Sequence, residues 1–218
     1  MRIPTLIPPY DEMLAAASTA VAAVESRSPV VVDLGIGSGA LAARCVASVP
    51  RARLVGIDTD EGMLALARKR LQRLGDRVDL VPADFLSAPL PRCDVVTASF
   101  SLHHIPTRRR KAALYGRCFK AIRAGGLLVN ADCCLASNAA LQAQDRRAWL
   151  RHLERSYTPA RARGFLRAWA HEDVYFRLED EIAMMRAAGF TVDVPWRRHS
   201  FAVIVGTKSG GVDPCRDI

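Results

Sequence analysis

Several features are missing from this 218-residue chain. No apolar run approaches the ~20 residues that a membrane-crossing helix needs. The opening Met1-Arg2-Ile3-Pro4 lacks the apolar stretch of a secretory leader, so the expected compartment is the cytoplasm and no membrane partner is expected. The six cysteines, Cys45, Cys93, Cys118, Cys133, Cys134 and Cys215, form no CxxC pair and show no Cys/His ligand spacing. They read as free thiols, and no metal is expected. Cys133-Cys134 is the one oddity: two adjacent thiols could hold a soft metal or metalloid, or be small residues at a strand end. Lysine stands only at 69, 111, 120 and 208. The net charge of +9 is therefore carried by arginine, a pattern that fits GC-rich coding better than a nucleic-acid surface. Internal repeats and low-complexity tracts are absent too.

What is present is globular. Half the residues are hydrophobic and 24% are charged, enough to bury a core and too apolar for a disordered chain. Ala-rich residues 10–25 follow Pro8-Pro9 and begin with acids, which predicts a helix. Residues 29–34, PVVVDL, are continuously β-branched and read as a strand buried on both faces. A glycine-rich turn, Gly35 to Gly39, leads into a helix over 40–49. The alternation continues with a strand over 52–57 ending at Asp58, a helix over 60–74 capped by Asp60 and stopped by Gly75, and strands over 77–81 and 93–98. A helix over 107–123, ended by Ala124-Gly125-Gly126, precedes a strand over 127–132. Strands separated by helices imply right-handed βαβ units and a parallel sheet. Residues 137–172 break the rhythm; they read as an inserted helical cap rich in arginines and aromatics. After a helix over 176–188, strands over 190–196 and 200–206 are joined too closely for a parallel crossover, so they form an antiparallel hairpin. One domain is expected over 1–208, with the cap at about 137–175 and a flexible tail over 209–218.

The strongest chemical signal is Asp33-Leu34-Gly35-Ile36-Gly37-Ser38-Gly39, set between a strand and a helix. Glycines there allow a sharp turn and close approach of a ligand, beside the unpaired N–H groups of the helix end. Asp58 ends the next strand, where a carboxylate can accept both hydroxyls of an adenosyl ribose. Ligands of open α/β sheets bind at these strand ends. Gly35-x-Gly37-x-x-Ala40 alone also fits a dinucleotide pattern. The acid before the first glycine, the third glycine at 39, Asp84 after the third strand and the closing hairpin favour a different cofactor.

The segments VVVDLGIGSG (30–39), LVGIDTDEGML (54–64), VPADF (81–85), CDVVTASFSLHHI (93–105) and IRAGGLLVNAD (122–132) together resemble the class I S-adenosylmethionine-dependent methyltransferases. The resemblance runs from about Tyr10 to Lys208. It implies a Rossmann-like three-layer α/β sandwich whose seven-stranded sheet is mostly parallel, with the antiparallel C-terminal hairpin and the cap. It implies S-adenosyl-L-methionine as cofactor and S-adenosyl-L-homocysteine as product. Asp33, Gly35, Gly37 and Gly39 would line the methionine end. Asp58 would hold the ribose, with Thr59 and Met63 beside the adenine. Asp84 would accept the adenine amino group between Ala83 and Phe85, and Ser99 would lie near the sulfonium. His103-His104 follows the fourth strand, where the acceptor belongs, and histidine suits proton transfer near neutral pH. This stretch resembles the phosphoethanolamine-type branch, in which a catalytic histidine stands in the place of His104 and pairs with a tyrosine, here Tyr10. Either histidine could instead cap the next helix or pack as polar core.

The leading expectation is methyl transfer, by in-line displacement, to an oxygen, nitrogen or carboxylate of a small molecule. One or two cap arginines among Arg146, Arg147, Arg151, Arg155, Arg161, Arg163 and Arg167 could face the acceptor, as Arg forks bind carboxylates; the rest would form a solvated helix face. A tRNA-modifying methyltransferase and a non-catalytic cofactor-binding scaffold are the alternatives. Metalloid methylation through Cys133 and Cys134 is more distant. The acceptor and the oligomeric state are not specified by the sequence.

Overall fold

The structure, a computed structural model, describes residues 3–210. Of the tail expected over 209–218, residues 211–218 lie outside the described residues. In chain order the elements are α1 (Ile3–Leu6), α2 (Tyr10–Val21), β1 (Val30–Leu34), α3 (Ala40–Ser48), β2 (Arg53–Asp58), α4 (Glu61–Leu71), β3 (Val78–Pro82), β4 (Cys93–Ser99), α5 (Arg108–Ala121), β5 (Ile122–Cys133), α6 (Ala139–Leu153), α7 (Pro159–Glu172), α8 (Leu178–Ala187), β6 (Thr191–Arg198) and β7 (Phe201–Thr207). The sheet order is β3-β2-β1-β4-β5-β7-β6. β1 to β5 pair in parallel, and β7 runs antiparallel to both β5 and β6.

The unbroken Val runs are explained by the two cores. Val31, Val95, Val129 and Val203 point into one, against α2, α3 and α4. Val32, Val96, Leu128 and Ile204 point into the other, against α5 and α8. Successive side chains of a strand face opposite ways, so a strand covered on both sides needs apolar residues at every position. Burying each such side chain contributes ~1.5–3 kcal/mol. On the second face Lys111 and Tyr115 of α5 both reach the buried Glu181 of α8. The same alternation separates Cys133 from Cys134: one thiol lies in each core. They cannot chelate one ion, and burial raises both thiols well above their ordinary range.

Local chemistry sets the element ends. The Asp60 side chain accepts from Met63 N–H at 3.0 Å and starts α4. Arg68, Lys69 and Arg70 fill its last turn, where cations oppose the helix dipole. Gly75 (φ +56°) sits in a short 3₁₀ stretch after it. The strand expected over 127–132 begins earlier, at Ile122, because Ile122 pairs with Cys93 across a register shift. Gly125 and Gly126 lie inside that strand rather than stopping a helix, and α5 ends at Ala121. The helix expected over 10–25 ends at Val21, and a separate turn of helix, α1, precedes it.

The cap consists of α6 and α7. Trp149 of α6 is buried and donates from Nε1 to the carbonyl of Leu6 at 2.7 Å, tying the cap to the N-terminal segment. Among the described residues no helix is long and apolar enough to cross a membrane.

Candidate functional site

A cavity of about 740 Å³ opens at the carboxyl ends of β1, β2 and β4, where the strand order reverses. The glycine loop forms one wall. Gly35 takes φ +66°, and a Cβ there would lie 2.5 Å from Cβ of Ser101, so only glycine fits. The Ser101 hydroxyl donates to the carbonyl of Leu34 at 2.7 Å and holds the two strand ends together. Gly37 N–H donates to Asp58 Oδ2 at 2.8 Å, and Asp60 N–H donates to Asp58 Oδ1 at 2.9 Å. The loop and the acid of β2 are thus fixed against each other before any ligand arrives.

Gly35, Gly37, Asp58, Thr59, Met63, Asp84, Phe85 and Ser99 all line the cavity. Gly39, Ala83 and Asp33 do not. Gly39 (φ +73°) packs its bare Cα against Ala67 and Leu71, letting α3 start close to α4. Ala83 N–H bonds the carbonyl of Asp58. Asp33 is buried and accepts from Thr97 Oγ1 at 2.9 Å. Burial pushes its carboxyl up to about 7; the Thr97 bond opposes this and the Asp58 charge adds to it. An acid held near neutrality beside the glycine loop regains its charge when a cation is brought near. No Arg or Lys lines the cavity among the described residues; its formal charges are Asp58, Asp60, Asp84 and Asp173. That set suits S-adenosylmethionine, which carries an ammonium and a sulfonium.

The other half of the cavity is aromatic. Tyr10 stacks on Phe100 with centroids 5.8 Å apart, and Trp149 stacks on Trp169 at 5.3 Å; all four line the wall, as does Tyr175. Phe100 follows β4 with φ +50°, a left-handed conformation costly for a bulky residue. Such strain persists where surrounding contacts over-determine it, commonly at functional sites. All seven cap arginines are exposed, and none lines this cavity. Arg151 and Arg155 line a smaller pocket on the other side of Trp149. Of the two readings of these arginines the solvated helix face is the one observed, and none takes the acceptor-facing place open to one or two of them: α6 and α7 turn their apolar stripes inward and their arginines to water.

The two histidines differ sharply. Neither caps α5, whose N-cap is Thr107. His103 is buried; its Nδ1 lies 2.6 Å from Asp132 Oδ1 and its Nε2 lies 3.8 Å from Asp173 Oδ1, and both His103 and Asp173 line the cavity. Asp132 also accepts from the backbone N–H groups of His103 and Cys133. Burial disfavours the charged ring of His103, but the charge and hydrogen bond of Asp132, with Asp173 behind them, outweigh it and raise the imidazole above its ordinary value. Burial raises Asp132 likewise, yet His103 more than compensates and its carboxyl is lowered. His104 is 63% exposed at its side chain, with Nδ1 3.1 Å from Asp173 Oδ1. Tyr175 donates to Asp173 Oδ2 at 2.6 Å. Val174 N–H bonds the carbonyl of His103 and so fixes the end of α7 against this turn. His103, His104 and Asp173 offer three donor atoms within 4.8 Å of one another, close enough for one divalent ion to bridge. Asp132, Asp173, Tyr175 and Phe100 carried no assigned role in the sequence; the signal for Asp132 is an acid ending the apolar run LLVNAD.

A family profile described as a methyltransferase domain matches residues 31–126. A carboxy-S-adenosyl-L-methionine synthase of Helicobacter hepaticus is 27% identical over 93% of this chain and 87% of its own length. A trans-aconitate 2-methyltransferase of an Acidovorax species is 35% identical over 45% of this chain and 36% of its own. The solved structure of an O-methyltransferase family protein from Burkholderia thailandensis superposes with a TM-score of 0.69 at 20% identity, covering 94% of this chain; the chain spans 57% of that protein's solved length. Sheet order, glycine loop and these likenesses support the reading of this chain as a class I S-adenosylmethionine-dependent methyltransferase, an enzyme of the small-molecule type.

Proposed function

We propose that this enzyme methylates a hydroxyl oxygen of a flat aromatic small molecule, with His103 as the general base. The observation that carries the reading is the setting of His103: Nδ1 is taken by a buried carboxylate, and the residue lines a cavity walled by aromatic rings. Bound S-adenosylmethionine supplies a methyl group already activated on a positively charged sulfur. The chain's own tasks are then to orient the acceptor, exclude water and take a proton. Tyr10, Phe100, Trp149 and Trp169 would sandwich the acceptor ring. Asp132 would hold the proton of His103 on Nδ1, keeping the Nε2 lone pair free, and would stabilise the imidazolium that forms.

The same geometry speaks against an anionic acceptor, since no Arg or Lys lines the cavity among the described residues. It also disfavours synthesis of carboxy-S-adenosylmethionine, the product named for the Helicobacter relative, because no Arg or Lys among those residues lines the cavity to pair with the added carboxylate. Asp58, Thr59, Met63, Asp84, Phe85 and Ser99 would hold the cofactor, and Asp33 would answer its charge from beneath the loop.

The test is turnover of a panel of one- to three-ring hydroxyarenes, with aromatic amines and carboxylic acids beside them. Formation of S-adenosylhomocysteine and the mass of the product are the readouts. Methyl ethers are expected. Methyl esters or methylamines alone would refute the acceptor assignment.

A further inference from the structure

Methyl transfer from a sulfonium to a neutral hydroxyl liberates one proton per turnover. On the reading above, on which this inference rests, that proton arrives at His103 Nε2. While product fills the cavity, His103 is poorly placed to return the proton to water. Its ring is buried, and its other nitrogen is engaged by Asp132.

Asp173 offers a way out. Its Oδ1 lies 3.8 Å from His103 Nε2 and 3.1 Å from His104 Nδ1. Its Oδ2 is held by the Tyr175 hydroxyl, which fixes the carboxylate with one oxygen between the two imidazoles. The two rings are 4.2 Å apart, centroid to centroid. The side chains of His103 and Asp173 are both buried, 9% and 6% exposed, whereas that of His104 is 63% exposed. A buried base, a buried carboxylate and a solvated imidazole thus follow one another along the cavity wall, the last of them open to water.

We infer that Asp173 and His104 form a proton exit that returns His103 to its neutral form after each methyl transfer. The acceptor O–H bond breaks as the O–CH₃ bond forms, and the S–CH₃ electron pair stays on sulfur. The proton goes to His103 Nε2, then to Asp173 Oδ1, then to His104 Nδ1. The imidazolium of His104 gives a proton from Nε2 to water and recovers its starting tautomer by exchange with solvent. No oxidant, reductant or metal is needed. Asp132 positions His103; Asp173 and His104 act through it.

The test uses protein labelled with ¹⁵N-histidine and saturated with S-adenosylhomocysteine, at a pH where His103 is cationic. The quantity read is the rate at which the His103 Nε2 proton exchanges with water; His103→Gln identifies its signal. Exchange is expected to slow by about an order of magnitude in His104→Gln, a surface change that leaves the core intact, and likewise in Asp173→Asn. Wild-type exchange in His104→Gln would overturn the relay. Turnover of the best hydroxyarene gives a second readout. The His104→Gln enzyme should be accelerated by added imidazole buffer while the wild type is not, a dependence that a merely structural role would not create. The two readings fail separately. A His103→Gln enzyme with the wild-type rate removes the general base whatever His104 does. An impaired His103→Gln beside a His104→Gln that exchanges normally removes the relay alone.

Discussion

Asp132→Asn removes one negative charge from the site and changes almost no volume. In the wild type the carboxylate is buried and holds His103 Nδ1 at 2.6 Å. A charge-assisted hydrogen bond of this kind contributes ~1.5–3 kcal/mol, and its loss from the imidazolium-bearing transition state alone slows the reaction by roughly 10- to 150-fold. The asparagine amide can also donate to Nδ1, which moves the ring proton to Nε2 and buries the lone pair needed for catalysis. Together the two effects put the loss in plateau kcat at about 10²- to 10⁴-fold. The pH dependence carries a sign. His103 must be neutral to act, and Asp132 and Asp173 raise it above 6.5. The wild-type rate therefore climbs with pH and flattens only above that raised value. Without the Asp132 charge the climb shifts to lower pH while the plateau falls. The assay is kcat against pH with the best hydroxyarene, with a melting curve and the Kd for S-adenosylmethionine as folding controls. An unchanged plateau, a limb moved to higher pH, or an equal loss of cofactor affinity would refute the reasoning.

Other consequences can be measured directly. Asp58→Ala should weaken S-adenosylmethionine binding by about 3 kcal/mol, roughly 150-fold, because it removes charge-assisted bonds to the ribose; calorimetry that finds an unchanged Kd takes Asp58 out of the site. Asp33→Asn should stabilise the ligand-free protein at pH 8. The native acid sits at about 7 against 3.8, so its contribution is fully present below pH ~4 and is lost by about 4 kcal/mol as pH rises through ~7. The same change should weaken cofactor binding, and a lower melting temperature at pH 8 would contradict the account. Mass spectrometry of the small molecule that co-purifies should find S-adenosylmethionine or S-adenosylhomocysteine; carboxy-S-adenosylmethionine would reopen the synthase chemistry.

The parts of the molecule that depend on local signals were readable from the sequence. Continuous Val runs mark strands buried on both faces, Asp60 caps α4 through its own side chain, and Gly35 and Gly37 stand where the backbone turns left-handed. Asp58 was readable because a strand end followed by an acid has one outlet, the crevice. What escaped depends on long-range packing. His103 and His104 occupy one turn of 3₁₀ helix, in which successive side chains point about 120° apart. Which of them is buried is decided by Asp132 of β5 and the end of α7, 29 and 70 residues or so away. The early start of β5 at Ile122 depends on pairing with Cys93. The exclusion of arginine from the cavity depends on which stripe of α6 and α7 faces the core, and the dense spacing of arginines along both helices left that unreadable.

The central claim is that His103 removes the acceptor proton. The most direct test compares wild type and His103→Gln on a hydroxyarene and on its thiol analogue. An arenethiol ionises without help below even the ~8.5 of an alkyl thiol, whereas a phenol needs a base until about pH 10. The account predicts that His103→Gln loses about 10²-fold or more on the phenol and little on the thiol. An equal loss on both would make His103 a structural residue and would contradict the mechanism.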